Sequence, residues 1–344
     1  MFQGVKKICI VITNRSSWGR YQAVCEAIHN HPKLELQLVV AGGALHLDIP
    51  YNISDRIYCL VDGDSKESMV LTTTTLTTQL VGVFTRLKPD TVYIHGDRFE
   101  MLGVAMAASY MGILIAHAEG GETTGCIDDK VRNAITELAD IHFPVKLNSA
   151  YVLADKKRWY GEPELLDIYC VGSPALDLIK DIPIINKDPY VVVLVHPNTT
   201  KDEDVNELIE AIKEIKEKII WINPNFDAGS KAMLKEIHKL NVEFVKDLKP
   251  IEFYTLLKNS KMLIGNTSSG IKEGSYLGVT YLCIGDRQKG RDSDSNTIFV
   301  EYKKEKIVEA YKNYSHVKFE SSEYFGDGLA SKYIVDILAG DADG

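Results

Sequence analysis

Residues 91–118, TVYIHGDRFEMLGVAMAASYMGILIAHA, hold one complete repeat of the pattern that decides the fold. Thr91 to His95 is a short β-rich run, Glu100 to Met111 has the length and composition of a helix, and Ile113 to Ala118 is a second apolar run. Strand, helix and strand at this spacing form a βαβ unit, and continuous apolar strands of this kind belong to a parallel sheet covered on both faces. Working outward, the same alternation predicts strands at Lys7 to Thr13, Leu34 to Ala41, Ile57 to Val61 and His142 to Val145. Between them, helices are predicted at Gly19 to Asn30, Ser65 to Leu87 and Asp128 to Asp140. The Thr-rich stretch Leu71 to Thr78 has poor helix propensity, but Met69, Leu76, Leu80, Val83 and Leu87 keep helical spacing.

Two prolines and a charge-rich loop in Ser173 to Asp188 interrupt the pattern, which reads as a linker. The uninterrupted run Tyr190 to Val195 then restarts it, with further strands at Ile219 to Asn223, Val242 to Val245, Met262 to Gly265 and Thr280 to Ile284. The expected fold is α/β, with two doubly wound Rossmann-like domains facing a cleft: residues 1–175, residues 186–325, and a C-terminal helix and tail at 326–344. A length of 344 residues suits two such domains.

Composition narrows the function. Hydrophobic residues at 45% and charged residues at 25% describe a globular chain and exclude disordered or collagen-like classes. No apolar run reaches the roughly 20 residues that cross a bilayer, and Met1 to Ile12 lacks a long apolar leader region. A cytoplasmic protein is expected, without a membrane partner. Six cysteines stand without a CxxC pair, against a zinc ribbon or disulfide framework. A net charge of −9 leaves no electrostatic footprint for nucleic acid, so a bound anion needs local groups.

Such groups lie where the strands end. Gly96-Asp97-Arg98 follows His95, and His117-Ala118-Glu119-Gly120-Gly121-Glu122 follows the next strand, so carboxylates and imidazoles reach one rim of the sheet. Asp128 and Arg132, spaced i, i+4 at the start of a helix, can face the same way, although Asp128 also complements a helix N-terminus. His95 and His117 each fit a satisfied core histidine equally well. His196-Pro197-Asn198-Thr199-Thr200 follows the first strand of the second half. The run from Met262 through Asn266, Thr267, Ser268, Ser269 and Gly270 to Glu273 reads strand, small polar loop, helix, which directs N–H groups and hydroxyls at an anion. It is neither a Walker A loop nor a GxGxxG fingerprint. Arg287, Lys289 and Arg291 add cations in a later loop. No spacing among the histidines and carboxylates forces a metal site.

In order along the chain, NRSSWGR (14–20), HGDRFE (95–100), HAEGGETTGCIDDKVRNAITELADIHF (117–143), HPNTT (196–200), NPNFDAGSK (223–231), IGNTSSGIKEGSYLG (264–278) and IGDRQKGR (284–291) closely resemble the UDP-N-acetylglucosamine 2-epimerase family, in particular its hydrolysing branch, which serves sialic acid-type sugar biosynthesis. The resemblance implies the two-domain GT-B fold, a UDP-sugar as substrate, a homodimer or homotetramer, and no metal or redox cofactor. It assigns Asp97, Glu119 and Asp128 as catalytic carboxylates, with His196 as the functional histidine and Arg132 beside the acid. It places Arg15, His95, Asn225, Thr267, Ser268, Ser269, Gly270, Glu273 and Arg287 around the substrate. Thr267 and Ser268 meet the diphosphate, Glu273 the ribose hydroxyls, and Arg15 and Arg287 neutralise the diphosphate. The chain departs from the family pattern at Arg15-Ser16-Ser17, at Arg132-Asn133 and in HPNTT, all around the sugar. Three rivals share these motifs: a non-hydrolysing 2-epimerase, a GT-B glycosyltransferase and a weakened nucleotide-sugar-binding protein.

Overall fold

The computed structural model describes residues 4–63, 65–125, 127–158, 167–180, 182–185, 188–197, 204–224, 229–246 and 248–341, with backbone alone at 15, 16 and 156–158. Two compact units emerge. The first comprises residues 1–122, 128–178 and 326–344; the second comprises 123–127 and 179–325.

The first unit runs β1 (Lys6–Ile12), α1 (Arg15–Asn30), β2 (Leu34–Ala41), β3 (Ile53–Ile57), α2 (Lys66–Leu87), β4 (Thr91–His95), α3 (Phe99–Tyr110), β5 (Leu114–Ala118), α4 (Asp128–Leu138), β6 (Ile141–Phe143), α5 (Leu147–Arg158) and β7 (Asp167–Ile168). Its seven strands lie in the order β3-β2-β1-β4-β5-β6-β7, every pair parallel. This is the doubly wound order, with its switch point between β1 and β4.

Alternation along β1 shows why the sheet needs helices on both sides. Ile8, Ile10 and Ile12 pack with Tyr21, Val24 and Ile28 of α1, whereas Cys9 and Val11 pack with Leu76, Leu80 and Phe84 of α2 and Val104 of α3. In α2, the hydroxyls of Thr73, Thr74, Thr77, Thr78 and Thr85 donate to carbonyls four residues earlier, so the Thr run is absorbed into the helix. Ser65 and Ser68 close its first turn as a reciprocal cap.

Three expectations need correction. The third strand ends at Ile57 rather than starting there: its partner β2 ends at Ala41, and beyond it Tyr58 and Leu60 are exposed while the Val61 N–H turns to the Thr72 hydroxyl. Helix α1 begins four residues before Gly19, because Asn14 accepts from the Ser17 N–H and caps it. The start of the expected linker is core. Pro174, Ala175 and Leu176 are buried in a 3-10 turn, and Asp177 accepts from the N–H groups of Ala330 and Ser331 at the start of a C-terminal helix, α11 (Ala330–Ala339). That helix packs through Ile334, Val335 and Leu338 into the core of the first unit.

The second unit runs β8 (Tyr190–Leu194), α6 (Val205–Ile212), β9 (Lys218–Ile222), α7 (Ser230–Ile237), β10 (Glu243–Val245), α8 (Pro250–Lys258), β11 (Met262–Gly265), α9 (Lys272–Leu277), β12 (Tyr281–Ile284), β13 (Thr297–Val300) and α10 (Lys304–Tyr314). Strand order β10-β9-β8-β11-β12-β13, again parallel throughout, repeats the doubly wound plan with a switch point between β8 and β11. Val191, Val193 and Val195 pack under Leu208, Ile212 and Ile307. Strand β13 is an addition to the predicted set. Among the described residues, no helix is long and apolar enough to cross a membrane.

Candidate functional site

In the first unit the chemistry gathers beyond the carboxyl ends of β4 and β5. Gly96 takes φ +79°, a left-handed turn that an L side chain rarely adopts, and delivers Asp97 just past the sheet. Asp97 is ion-paired with Arg132 of α4. The same guanidinium donates to Asp129 Oδ1 at 2.6 Å and to the Glu122 carbonyl at 2.9 Å. Arg132 is only 1% exposed. Burial alone disfavours its charge, but Asp97, Glu122 and Asp129 outweigh that and hold its pKa above the ordinary arginine value. The helix partner seen for Arg132 is Asp129 at i, i+3, while Asp128 opens the first turn.

Glu119 also has a left-handed backbone, φ +66°, unusual for a residue with a side chain and a conformation that clusters at functional sites. Its N–H donates to the Phe143 carbonyl at 3.0 Å, and its buried carboxylate accepts from Ser173 Oγ at 3.3 Å. Oε1 lies 3.2 Å from Nε2 of His95, a fully buried ring neither of whose nitrogens makes a hydrogen bond among the described residues. The Tyr21 hydroxyl holds the backbone of His95 by accepting its N–H at 2.8 Å.

The two histidines therefore separate. His117 is a satisfied core residue: Nε2 donates to the Gly96 carbonyl at 2.9 Å and Nδ1 accepts from the Thr136 hydroxyl at 3.2 Å. Burial depresses its pKa to about 4, so the ring is neutral near pH 7. His95 has a carboxylate neighbour instead, and no hydrogen bond at either ring nitrogen among the described residues.

In the second unit, His196 follows β8, and Asn266 follows β11 across the switch point. The Asn266 side chain accepts from the His196 N–H and donates to the His196 carbonyl, both at 2.8 Å. The Asn266 carbonyl accepts from Arg287 Nη1 and Gln288 Nε2, each at 3.2 Å. Strands approach closely here, since a Cβ on Gly265 would lie 1.8 Å from the Leu194 carbonyl oxygen. Thr267 Oγ1 accepts from the Ser269 N–H at 3.3 Å and caps the 3-10 turn Ser268–Gly270, while Tyr281 Oη donates to the Thr267 carbonyl at 2.9 Å. Glu273, on α9, is buried and accepts from Tyr254 Oη at 3.4 Å. Of the three loop cations, Arg291 is buried, Arg287 half-buried and Lys289 exposed.

Asp97, Glu119, Asp128, Arg132 and His95 thus share one unit, and His196, Thr267, Ser268, Ser269, Gly270, Glu273 and Arg287 the other. Asn225 and residues 198–200 lie outside the described residues, as does the Arg15 side chain. Sequence reasoning passed over Ser173, Tyr254 and the hub role of Asn266. The signal for Asn266 was an amide placed directly after a buried strand; Ser173 was masked by its apparent linker. Among the described residues, no group of three or more His, Cys, Asp or Glu is arranged to hold a metal ion.

Two doubly wound parallel sheets, each with polar groups massed at its switch-point rim, define a protein of the GT-B-like class. The family model for UDP-N-acetylglucosamine 2-epimerase matches residues 26–339, and the chain belongs to that enzyme family. It is 28% identical to the UDP-N-acetylglucosamine 2-epimerase of Neisseria meningitidis, over 94% of this chain and 92% of that protein. It is 29% identical to the GDP/UDP-N,N'-diacetylbacillosamine 2-epimerase (hydrolyzing) of Campylobacter jejuni, over 85% and 84%. The solved Methanocaldococcus jannaschii UDP-GlcNAc 2-epimerase, in complex with UDP-GlcNAc and UDP, shares the fold at a TM-score of 0.79 and 18% identity, covering 97% of this chain and 99% of that one.

Proposed function

We propose that this chain is a hydrolysing nucleotide-sugar 2-epimerase of cytoplasmic sugar biosynthesis. Its substrate is UDP-N-acetylglucosamine or a close 2-acetamido relative such as a UDP-2,4-diacetamido-6-deoxy sugar. The observation that carries the reading is the grouping, in one unit, of Asp97 against Arg132 and Glu119 against His95, with Asp128 opening α4. The Campylobacter jejuni relative, named as hydrolyzing, supports this branch.

In the proposed reaction a base takes the C2 proton while the C1–O electron pair leaves with UDP, giving a glycal. Water then adds its oxygen to C1, a proton returns to C2 on the opposite face, and the free 2-epimer, of the N-acetylmannosamine type, is released. C2 is a weak acid, so departure of a stabilised diphosphate accompanies proton removal, and donors to that diphosphate strengthen as its charge develops. Asp97, Glu119 and Asp128 supply the proton-transfer carboxylates, Arg132 orients Asp97, and Ser173 holds Glu119 with the His95 ring beside it. In the second unit, Thr267 and Ser268 with the 269–270 backbone receive the diphosphate, Arg287 neutralises it, Asn225 contributes to the nucleotide site, and Glu273 accepts from the ribose hydroxyls. His196 serves the chemistry. Accepting from Ser269 leaves the Thr267 hydroxyl its own proton to donate.

Mass spectrometry of products from a panel of UDP- and GDP-sugars tests this reading. Free 2-epimer plus UDP is expected. A retained UDP-sugar epimer would assign a non-hydrolysing enzyme, turnover only with an added acceptor a glycosyltransferase, and binding without turnover a weakened binding protein.

The reading includes a homo-oligomer. Between Ser68 and Thr85 on α2, and between Met101 and Ala116 across α3 and β5, there is no charged residue. Val70, Leu71, Val81, Met106 and Tyr110 are exposed there. An uncharged apolar face suits contact with a second copy of itself, because a two-fold axis sets like groups against like. Light scattering is expected to give a dimer or tetramer, and Val81→Glu with Tyr110→Glu to shift it toward monomer.

A further inference from the structure

Asn266 is 0% exposed, yet every polar group it carries is engaged with a segment distant in sequence. Its N–H donates to the Leu194 carbonyl at 3.3 Å. Its side-chain amide meets the His196 peptide groups as a neighbouring strand would, accepting from the N–H and donating to the carbonyl at 2.8 Å each. Its own carbonyl takes the Arg287 guanidinium and the Gln288 amide at 3.2 Å. The two loops so joined lie 70 residues before it and 21 residues after it.

This pairing is specific to asparagine. Aspartate has the shape but no N–H to give, and would set a carboxylate oxygen against the His196 carbonyl. Serine is too short to reach both groups, and glutamine, longer by a methylene, would carry its amide past the His196 peptide.

We propose that Asn266 is a positioning residue that acts through His196: the buried amide fixes the peptide from which the imidazole projects, while its backbone carbonyl anchors Arg287 independently of the side chain. The proposal rests on the nucleotide-sugar reading of this site. It separates from a purely structural role because the side chain serves the histidine alone, so its removal changes turnover without changing nucleotide affinity.

The test uses the full chain with Asn266→Asp, and with Asn266→Ser in case the buried carboxylate prevents folding. Release of UDP from UDP-N-acetylglucosamine is expected to fall on the order of 10²-fold in kcat, the cost of misplacing one group by about an ångström. In Asn266→Ser, which adds no charge beside the diphosphate loop, UDP affinity by calorimetry is expected to stay within about threefold, because the Arg287 acceptor is backbone. In a His196→Ala background, Asn266→Asp is expected to lower kcat by less than about threefold more, since its effect has already been removed. A full multiplicative loss in that background would overturn the proposal, as would UDP affinity falling in step with kcat and melting temperature in Asn266→Ser.

If the wild-type chain neither binds UDP nor releases it, the nucleotide-sugar reading has failed, and the clamp is then read directly. The His196 imidazole resonance, assigned by its loss in His196→Ala, is expected to move in Asn266→Ser; an unmoved signal would overturn the proposal.

Discussion

Arg132 and Asp97 form an ion pair across 35 residues of chain, joining the loop after β4 to the first turns of α4 with almost no solvent at the guanidinium. Because Arg132 also serves Asp129 and the Glu122 carbonyl, it ties three acceptors from separate segments. Arg132→Met removes all of these donors and leaves Asp97 and Asp129 facing a buried apolar chain. Breaking a buried pair from one side costs about 3–5 kcal/mol, and urea unfolding is expected to show a loss of that order. Adding Asp97→Asn recovers part of it. Arg132→Lys recovers less than a conservative change would suggest, because an ammonium cannot span three planar acceptors. A loss below about 1 kcal/mol would mean that the pair behaves as a surface contact.

His117 gives a prediction in pH. In the unfolded chain it titrates near the ordinary imidazole value of about 6.5, whereas in the native state burial holds it to about 4. Between those values the unfolded state binds more protons, so the stability from neutral His117 is complete above about pH 6.5 and declines as pH falls toward 4. The linkage is worth roughly 3 kcal/mol over the whole window. His117→Gln keeps a donor for Gly96 and an acceptor for Thr136 and removes the titration. Its urea midpoint is expected to vary less between pH 7 and 4 than that of the native chain. Equal slopes would place the pH dependence elsewhere.

How much of this was written in the sequence varies with the kind of interaction. The runs 34–41, 91–95 and 262–265 form strands over those same residues, since burial on both faces of a parallel sheet demands an unbroken apolar stretch. Ile57 to Val61 has the same composition but no ladder partner past Ala41, and pairing is a tertiary property that a local run does not carry. Residues 173–178 look like linker because they open a stretch, 173–188, that two prolines and a charge-rich loop interrupt. In the fold, Asp177 caps α11, a helix that begins 153 residues later. The candidate residues after β4, β5, β8 and β11 were legible for a topological reason: a doubly wound sheet sends every one of those loops to the same rim of its unit. Their partners were not. That Glu119 would meet His95 and Ser173, or that Asn266 would hold His196, follows from distances no spacing encodes.

For the nucleotide site, Glu273→Ala is expected to weaken UDP binding by about 1–3 kcal/mol, the value of charged hydrogen bonds to ribose hydroxyls. Tyr254→Phe, which removes only the hydroxyl 3.4 Å from Glu273 Oε1, is expected to have a smaller effect in the same direction. Calorimetry with UDP distinguishes them. Unchanged affinity in Glu273→Ala would take that residue out of the nucleotide site.

For the carboxylates, Asp97→Asn, Glu119→Gln and Asp128→Asn preserve shape while removing proton transfer. General acid and base groups contribute about 10²–10⁴-fold, so each variant is expected to lose at least about 10²-fold in turnover with UDP affinity nearly intact. Asp128 is the sharpest case, because its place in the first turn of α4 also has a helix-terminus explanation. A variant that keeps near-normal turnover marks its carboxylate as structural.

The order of bond changes can be read from atoms. Inversion at C2 requires that its C–H bond break, and a free sugar requires that water reach C1. If elimination precedes hydration, solvent deuterium enters C2 of the product and solvent oxygen enters C1, both in the same molecule. A non-hydrolysing epimerase would exchange the C2 hydrogen while the C1 oxygen stays in its bond to UDP, and a simple nucleotide-sugar hydrolase would leave the C2 hydrogen untouched. Turnover of UDP-N-acetylglucosamine in deuterated water and in ¹⁸O-labelled water, with products resolved by mass spectrometry, is therefore expected to show both labels. In Glu119→Gln or Asp97→Asn, loss of deuterium incorporation ahead of UDP release would assign that carboxylate to the C2 proton. Free sugar bearing ¹⁸O at C1 but no deuterium at C2 would sink the epimerase mechanism, whatever the fold and the nucleotide site turned out to be.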